Sequence, residues 1–230
     1  MREDGSLPGK ANVEFRIRQA IPEDAPVAVP IMYLSGPAAF DIVFVDDRHR
    51  SAQDFLQYAF CRPGGEFGYT NHTVVTHEEK VVGIGACFSA KTSLAFMITV
   101  IPQIIRFYGI FRGLGTIRRG LQIEQLFQLP HSKKNYFAHL GVSPEWQSHG
   151  IGSQLVEHFL EQSRAENQTH ATLDVSTQNP RAQLLYERIG FKTTEVRATS
   201  LPGISPHRRM EIPLRPPVGL KDERRSEDTP

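Results

Sequence analysis

Residues 135–165 constrain the fold more than any other part of this 230-residue chain. Tyr136 to Val142 is an apolar run that tolerates alternation, as a strand does, and Ser143-Pro144 stops it. A polar turn follows, with glycines at 150 and 152, and behind it Ile151, Leu155, Val156, Phe159 and Leu160 recur at helical spacing. The first amides of a helix have no partner within it, and the aligned peptide dipoles add positive potential there. A strand, turn and helix in this order can therefore hold a phosphate or pyrophosphate on backbone N–H groups. Gly150 and Gly152 leave room for a bulky anion against the backbone. The sterics of a turn entering a helix explain the same two glycines equally well. Two other glycine loops are excluded. The third glycine of a dinucleotide fingerprint would fall where the chain has Leu155, and no Gly-Lys-Ser/Thr follows as in a Walker loop.

Composition narrows the class. A net charge of +1 gives no basic field for nucleic acid, and Arg118-Arg119 and Lys133-Lys134 are short clusters that read as solvated faces. Two cysteines, Cys61 and Cys87, cannot build a cysteine-only zinc site, and both are read as reduced and buried; no metal is expected. The opening Met-Arg-Glu-Asp-Gly-Ser lacks the apolar core of an export signal, so a cytoplasmic location is expected. Leu94 to Phe111 is apolar but interrupted by Pro102, Gln103 and Arg106, too polar for stable membrane insertion.

Along the chain, residues 1–12 read as a frayed start, 13–215 as one domain and 216–230 as a flexible tail. Val13 to Arg18 alternates as a half-exposed strand. Pro22-Glu23-Asp24 starts a helix that Pro30 is expected to break or redirect. Ser51 can cap a helix through Phe60. Residues 70–76 and 80–86 read as a β-hairpin with Glu78 and Glu79 at its tip, and Gly83 and Gly85 mark a bulge or a close approach. Residues 91–130 read as a helical insertion broken near Pro102 and Gly113-Leu-Gly115. Thr169 to Val175 is another strand, and Asn179 caps a helix that Pro180 begins and Gly190 ends. Two further strands run from Phe191 to Arg197 and from Arg208 to Leu214.

Three segments together carry a resemblance. Val142-x-Pro-x-x-Gln147-x-x-Gly150-x-Gly152, then Leu173-Asp-Val, then Asn179-Pro-x-Ala-x-x-Leu-Tyr186-x-x-x-Gly-Phe191 resemble the GNAT superfamily of N-acetyltransferases. The likeness is dense over 135–192 and extends to 13–88 by element order. It implies an α/β fold (α+β, mixed sheet) of the acyl-CoA N-acyltransferase type, here with the helical insertion. It also implies acetyl-CoA in a V-shaped opening between the strand ending near Val142 and the strand holding Asp174. Cofactor contacts would come from Leu140, Gly141, Val142, Gln147, Ser148, His149, Gly150, Ile151, Gly152 and Ser153, with Asn179 as either a contact or a plain helix cap. Many members carry glycine where this chain has His149, and a minimal member lacks so large an insertion.

Direct transfer from a thioester needs a neutral amine, an oxyanion donor and a tolerated thiolate, with no covalent enzyme intermediate. Asp174 sits where some members carry an acidic base, and His139 is the alternative on the preceding strand. The resemblance places Tyr186 near the coenzyme sulfur, where its phenol can protonate the thiolate; ring packing is the competing reading. The expected activity is acetylation of a small-molecule or peptide amine. A catalytically inactive acyl-CoA-binding or sensing domain is the alternative. Phe40, Phe44, Phe55, Tyr58, Phe107 and Tyr108 are expected acceptor-wall residues, and the insertion is a candidate homodimer surface.

Overall fold

The computed structural model describes residues 14–46, 51–124, 133–199 and 201–214. The expected frayed start, the tail at 216–230 and the last residues of the expected insertion lie outside these. The chain begins with β1 (Arg16–Gln19), followed by three helices, α1 (Ala25–Tyr33), α2 (Pro37–Phe44) and α3 (Ala52–Phe60). Next come β2 (His72–His77) and β3 (Lys80–Ser89), then the helical pair α4 (Ala90–Tyr108) and α5 (Ile110–Glu124). The second half runs β4 (Lys134–Val142), α6 (Ile151–Ala165), β5 (His170–Ser176), α7 (Pro180–Ile189), β6 (Lys192–Arg197) and β7 (His207–Pro213).

The strands form one seven-stranded mixed sheet in the order β1-β2-β3-β4-β5-β7-β6. All neighbours are antiparallel except β4 and β5, which run parallel with α6 as their crossover. Alternation sorts side chains between two cores: Val74 and Val81 join the cluster under α1–α5, whereas Val75 and Val82 join the one under α6 and α7. The second cluster is tight because β3 has no side chain where α6 crosses it. A Cβ on Gly83 would stand 2.8 Å from Ile151, and one on Gly85 would stand 2.8 Å from Phe159.

Local chemistry explains most boundaries. Ser51 Oγ accepts from Asp54 N (3.3 Å) while the Asp54 carboxylate accepts from Ser51 N (2.7 Å), a reciprocal cap at the start of α3. Glu78 and Glu79 both lie at positive φ (46° and 64°) and close β2 onto β3 in two residues.

Three expected breaks do not occur, at Pro30, at Pro102 and at Gly113-Leu-Gly115. Pro30 lies inside α1 and Pro102 inside α4, each on an exposed face where water can serve the carbonyl that loses its amide partner. The insertion turns instead at Gly109, at φ +80°. Gly113 lies within α5, where an added Cβ would meet Ile105 of α4 at 2.7 Å. The α4–α5 pair is packed on the body: the Tyr108 hydroxyl donates to the Phe44 carbonyl (2.6 Å), and Arg119 donates to the Val43 carbonyl (2.8 Å), satisfying the end of α2. Arg119 is therefore a helix-end donor and not a plain solvated charge. The outer side of the pair leaves Ile98, Ile110, Phe111, Leu114 and Leu121 exposed.

Both cysteines are free, but neither matches the expected burial in full: Cys61 is exposed because it follows the last turn of α3 on the surface, and Cys87 is partly buried. Burial pushes the Cys87 thiol up to about 12. Among the described residues no single helix is long and apolar enough to cross a membrane.

Candidate active site

Parallel pairing of β4 with β5 is confined to Lys134, Asn135 and Tyr136 opposite His170, Ala171 and Thr172. Beyond Tyr136 the strands part, so the edge of β4 over 137–142 carries no β5 ladder. The opening points at the turn that begins α6. On its other edge β4 is bulged: Ile84 pairs with Gly141 and Ala86 with Ala138, two steps on β3 against three on β4. His139 takes up the extra residue at φ +54°.

The bulge decides where His139 points. Phe137, Leu140 and Val142 pack in the α6 core, and strict alternation would send His139 the same way. Instead its ring lies on the opposite face, 6.0 Å from Phe40, 5.5 Å from Phe67 and 5.8 Å from Phe88 between centroids. On that face His139 Nδ1 is 3.0 Å from Nε2 of His72, with the two rings stacked at 5.2 Å. The other nitrogen, Nε2, is 3.6 Å from the Glu66 carboxylate. His72 is fully buried, and its Nδ1 lies 3.0 Å from the Gly68 carbonyl. Burial, then the neighbouring His139, depresses the His72 pKa to about 3, so it stays neutral at ordinary pH.

The turn before α6 has the backbone of an anion cradle. Ser148 and Gly150 are both left-handed (φ +70° and +84°), and no side chain caps the helix. Among the described residues the six consecutive amides from 148 to 153 make no backbone hydrogen bond; the next, Gln154 N, donates to the Gly150 carbonyl. Arg181 of α7 braces the turn, donating to Gln147 Oε1 (2.6 Å) and Ser148 Oγ (2.9 Å), and brings a cation beside it. His149 turns back on its own loop, Nδ1 lying 3.0 Å from the Gln147 carbonyl. Ile151 is buried as core, and Gly152 faces Val142 and Leu185. Asn179 Oδ1 accepts from Ala182 N (3.0 Å), so this side chain is engaged as a helix cap. Gly141 lies under α1, where a Cβ would fall 2.5 Å from the Ile31 carbonyl.

Asp174 and Tyr186 sit differently from His139. The Asp174 side chain is 1% exposed and accepts from Arg209 Nε (3.2 Å) and Nη2 (2.8 Å) of β7. Tyr136 lies in the same group; burial first, then the Asp174 charge, raises its phenol well above the usual range. Tyr186 packs its ring edge-on to Phe191 at 6.1 Å, and burial raises its phenol to about 12. Of the expected acceptor-wall aromatics, Phe44, Phe55, Tyr58, Phe107 and Tyr108 interlock where α4 meets α2 and α3, for example Phe44 stacked on Phe55 at 4.5 Å. Phe40 alone among these six is recorded in ring contact with His139.

The open parallel pair, the bulged strand and the uncapped glycine turn occur in one uninterrupted unit, and the profile of the acetyltransferase (GNAT) family matches residues 39–191. The chain belongs to that family. In fold this GNAT chain is similar to a solved acetyltransferase, at TM-score 0.64 and 21% identity over 87% of this chain and 100% of the other. Over 71 residues it is 39% identical to the cysteine-rich protein 2-binding protein of Homo sapiens, covering 30% of this chain and 9% of that protein. Over 68 residues it is 29% identical to the ribosomal protein bS18-alanine N-acetyltransferase of Salmonella typhimurium, covering 30% of this chain and 46% of that enzyme. The chain thus matches less than half the length of either curated relative. Sequence reading did not find His72, Glu66 or Arg181 of this GNAT site. A histidine opening the short strand His72–His77, ahead of Val74 and Val75, was the one available sign of His72. Glu66 and Arg181 had none.

Proposed function

We propose that this GNAT chain moves the acetyl group of acetyl-CoA directly to an amine of a small molecule or peptide. One observation carries the reading: the strand whose free edge and bulge present His139 runs straight into six amides that have no backbone partner among the described residues, in a turn braced by Arg181. These residues suit coenzyme A, whose diphosphate is a ligand for consecutive N–H groups at a helix start. The amides of 148–153 would hold it, with Arg181 adding charge. When bound, acetyl-CoA supplies an acetyl group activated as a thioester. The chain's own part is orientation and proton handling. The free edge of β4 offers a backbone N–H near Val142 to the oxygen where negative charge develops. His139 Nε2 takes the proton of the acceptor ammonium, and Tyr186 holds a phenol proton for the departing sulfur. Asp174 is engaged by Arg209, which favours His139 over it as the base. The N-acetyltransferase named among the relatives supports an amine as acceptor.

The deciding assay is thiol release from acetyl-CoA across a panel of small amines and peptides. Saturable, amine-dependent release supports the enzyme; binding of the coenzyme with no acceptor-dependent release supports a sensing domain. Gly150→Glu and Gly152→Glu should each weaken coenzyme A binding about tenfold or more, by placing a carboxylate at the anion site. Gly150→Glu also strains a left-handed residue, and the new Cβ in Gly152→Glu presses on Leu185 at 3.2 Å. Calorimetric titration of folded variants checks this, with Gly150→Ala separating strain from charge. Unchanged affinity in both Glu variants would remove the cradle from this turn. Tyr186→Phe keeps the ring and should keep coenzyme affinity while kcat falls about tenfold to a hundredfold. Wild-type kcat, measured where chemistry limits the rate, would return Tyr186 to packing.

A further inference from the structure

We propose that His72 is a positioning residue that holds His139 as its Nδ1–H tautomer and so turns the Nε2 lone pair toward the acceptor amine. The proposal rests on the reading of His139 as the base. Its origin is a carbonyl. The Gly68 oxygen can only accept, so the His72 Nδ1 that lies 3.0 Å away must carry hydrogen. A neutral imidazole has one N–H, so His72 Nε2 is left as an acceptor. That nitrogen is 3.0 Å from His139 Nδ1, and two lone pairs at that distance would repel. His139 Nδ1 must therefore be the donor, and the neutral ring keeps its lone pair on Nε2. The reverse tautomer of either ring would set lone pair against lone pair at one of the two 3.0 Å links, whereas the Nε2 lone pair meets the Glu66 carboxylate only at 3.6 Å, beyond hydrogen-bond distance and on a side chain that water screens.

His72 cannot escape the role by ionising, because it is wholly buried and held neutral. It is also fixed in place, packed against Phe60 at 5.6 Å and hydrogen-bonded at both nitrogens. The free side of His139 has a different character. Nε2 faces Glu66, whose side chain is 43% exposed, so this is where the nearly buried ring meets the surface. The remaining recorded ring contacts of His139 are Phe40, Phe67 and Phe88, none of which titrates. Glu124 of α5 is near enough to Glu66 for the two charges to interact, and burial, then the Glu66 charge, raises its pKa. Proton transfer then balances simply. An ammonium N–H breaks, Nε2–H forms, and the new charge stays beside the Glu66 carboxylate while Nδ1–H remains donated to His72.

Long-range proton–nitrogen NMR of protein labelled with nitrogen-15 histidine tests the tautomer without substrate or any variant. In its neutral form His139 should show Nδ1 protonated and Nε2 bare; a dominant neutral Nε2–H form in the wild type would overturn the proposal. In His72→Phe the His139 spectrum should move toward Nε2–H, the form free imidazole prefers. The acidic limb of the kcat profile should shift, and kcat should fall about tenfold to a hundredfold with the amine KM little changed. His72→Gln can still accept from His139 and donate to Gly68, and should restore much of the loss. An unchanged tautomer and pH profile in folded His72→Phe would also overturn it. If His139→Gln keeps wild-type turnover while the Nδ1–H tautomer is confirmed, the base assignment fails and the tautomer lock stands.

Discussion

His139→Ala should lower kcat at neutral pH by about a hundredfold to ten-thousandfold, the range associated with a positioned general base. Coenzyme A affinity should hold, because the amides of 148–153 belong to the turn and not to the bulge. The deficit should narrow as pH rises, since more of the acceptor amine is then neutral before it binds. That shape separates the loss of a base from the loss of a substrate contact, which would depress activity evenly across pH. Removing a ring packed among Phe40, Phe67 and Phe88 can also loosen the fold. His139→Gln, which fills more of the space without the basic nitrogen, is the companion variant. Wild-type pH profiles in both, measured by thiol release with an identified amine, would remove His139 from the chemistry.

Asp174→Asn should act on stability first, by about 3–5 kcal/mol, the cost of leaving one member of a buried ion pair uncompensated. The Asp174 side chain is 1% exposed and that of Arg209 9%, so water is a poor substitute for either. Arg209→Met should cost a similar amount, and Asp174→Leu combined with Arg209→Met should recover much of it, because replacing both charges by packed apolar groups removes the unpaired ion. Denaturant unfolding with and without coenzyme A measures this directly. If folded Asp174→Asn is as stable as wild type and has lost its acidic kinetic limb, Asp174 is the base and His139 is not. Both variants belong in one experiment for that reason.

What could be read from the chain follows what local physics encodes. The strand ending at Val142, the glycine turn and α6 were legible because their periodicity changes within a few residues. Asn179, Pro180 and Gly190 marked α7 by cap, start and stop, and all three take those places. Proline was misread twice because its cost depends on which side of a helix it faces, and a short sequence window does not state that. The bulge was half legible: Gly83 and Gly85 marked it on β3, where the register against β4 slips between Ile84 and Ala86, but the extra residue on β4 is a histidine, with no sign in its own strand to place it there. Register between β3 and β4 is a property of two strands, separated here by α4 and α5. His72 escaped notice on the same account, since its importance comes from a partner 67 positions away.

The strand order has a consequence for how the protein is made. β7 lies between β5 and β6 but leaves the ribosome after both, so β6 has no neighbour until residues 207–213 exist. Synthesis can deliver β1 to β5 as a sheet whose β5 edge still awaits its neighbour, and that edge holds Asp174 before its countercharge, Arg209, has been translated. A nascent chain stalled in this interval carries an unpaired carboxylate and an open strand edge, features that invite wrong partners. Lys192, Glu195 and Arg197 make the waiting β6 a poor template for aggregation. Arrival of β7 then closes the sheet and neutralises Asp174 in a single event. A stop codon before residue 207 would therefore leave the nascent protein short of both together.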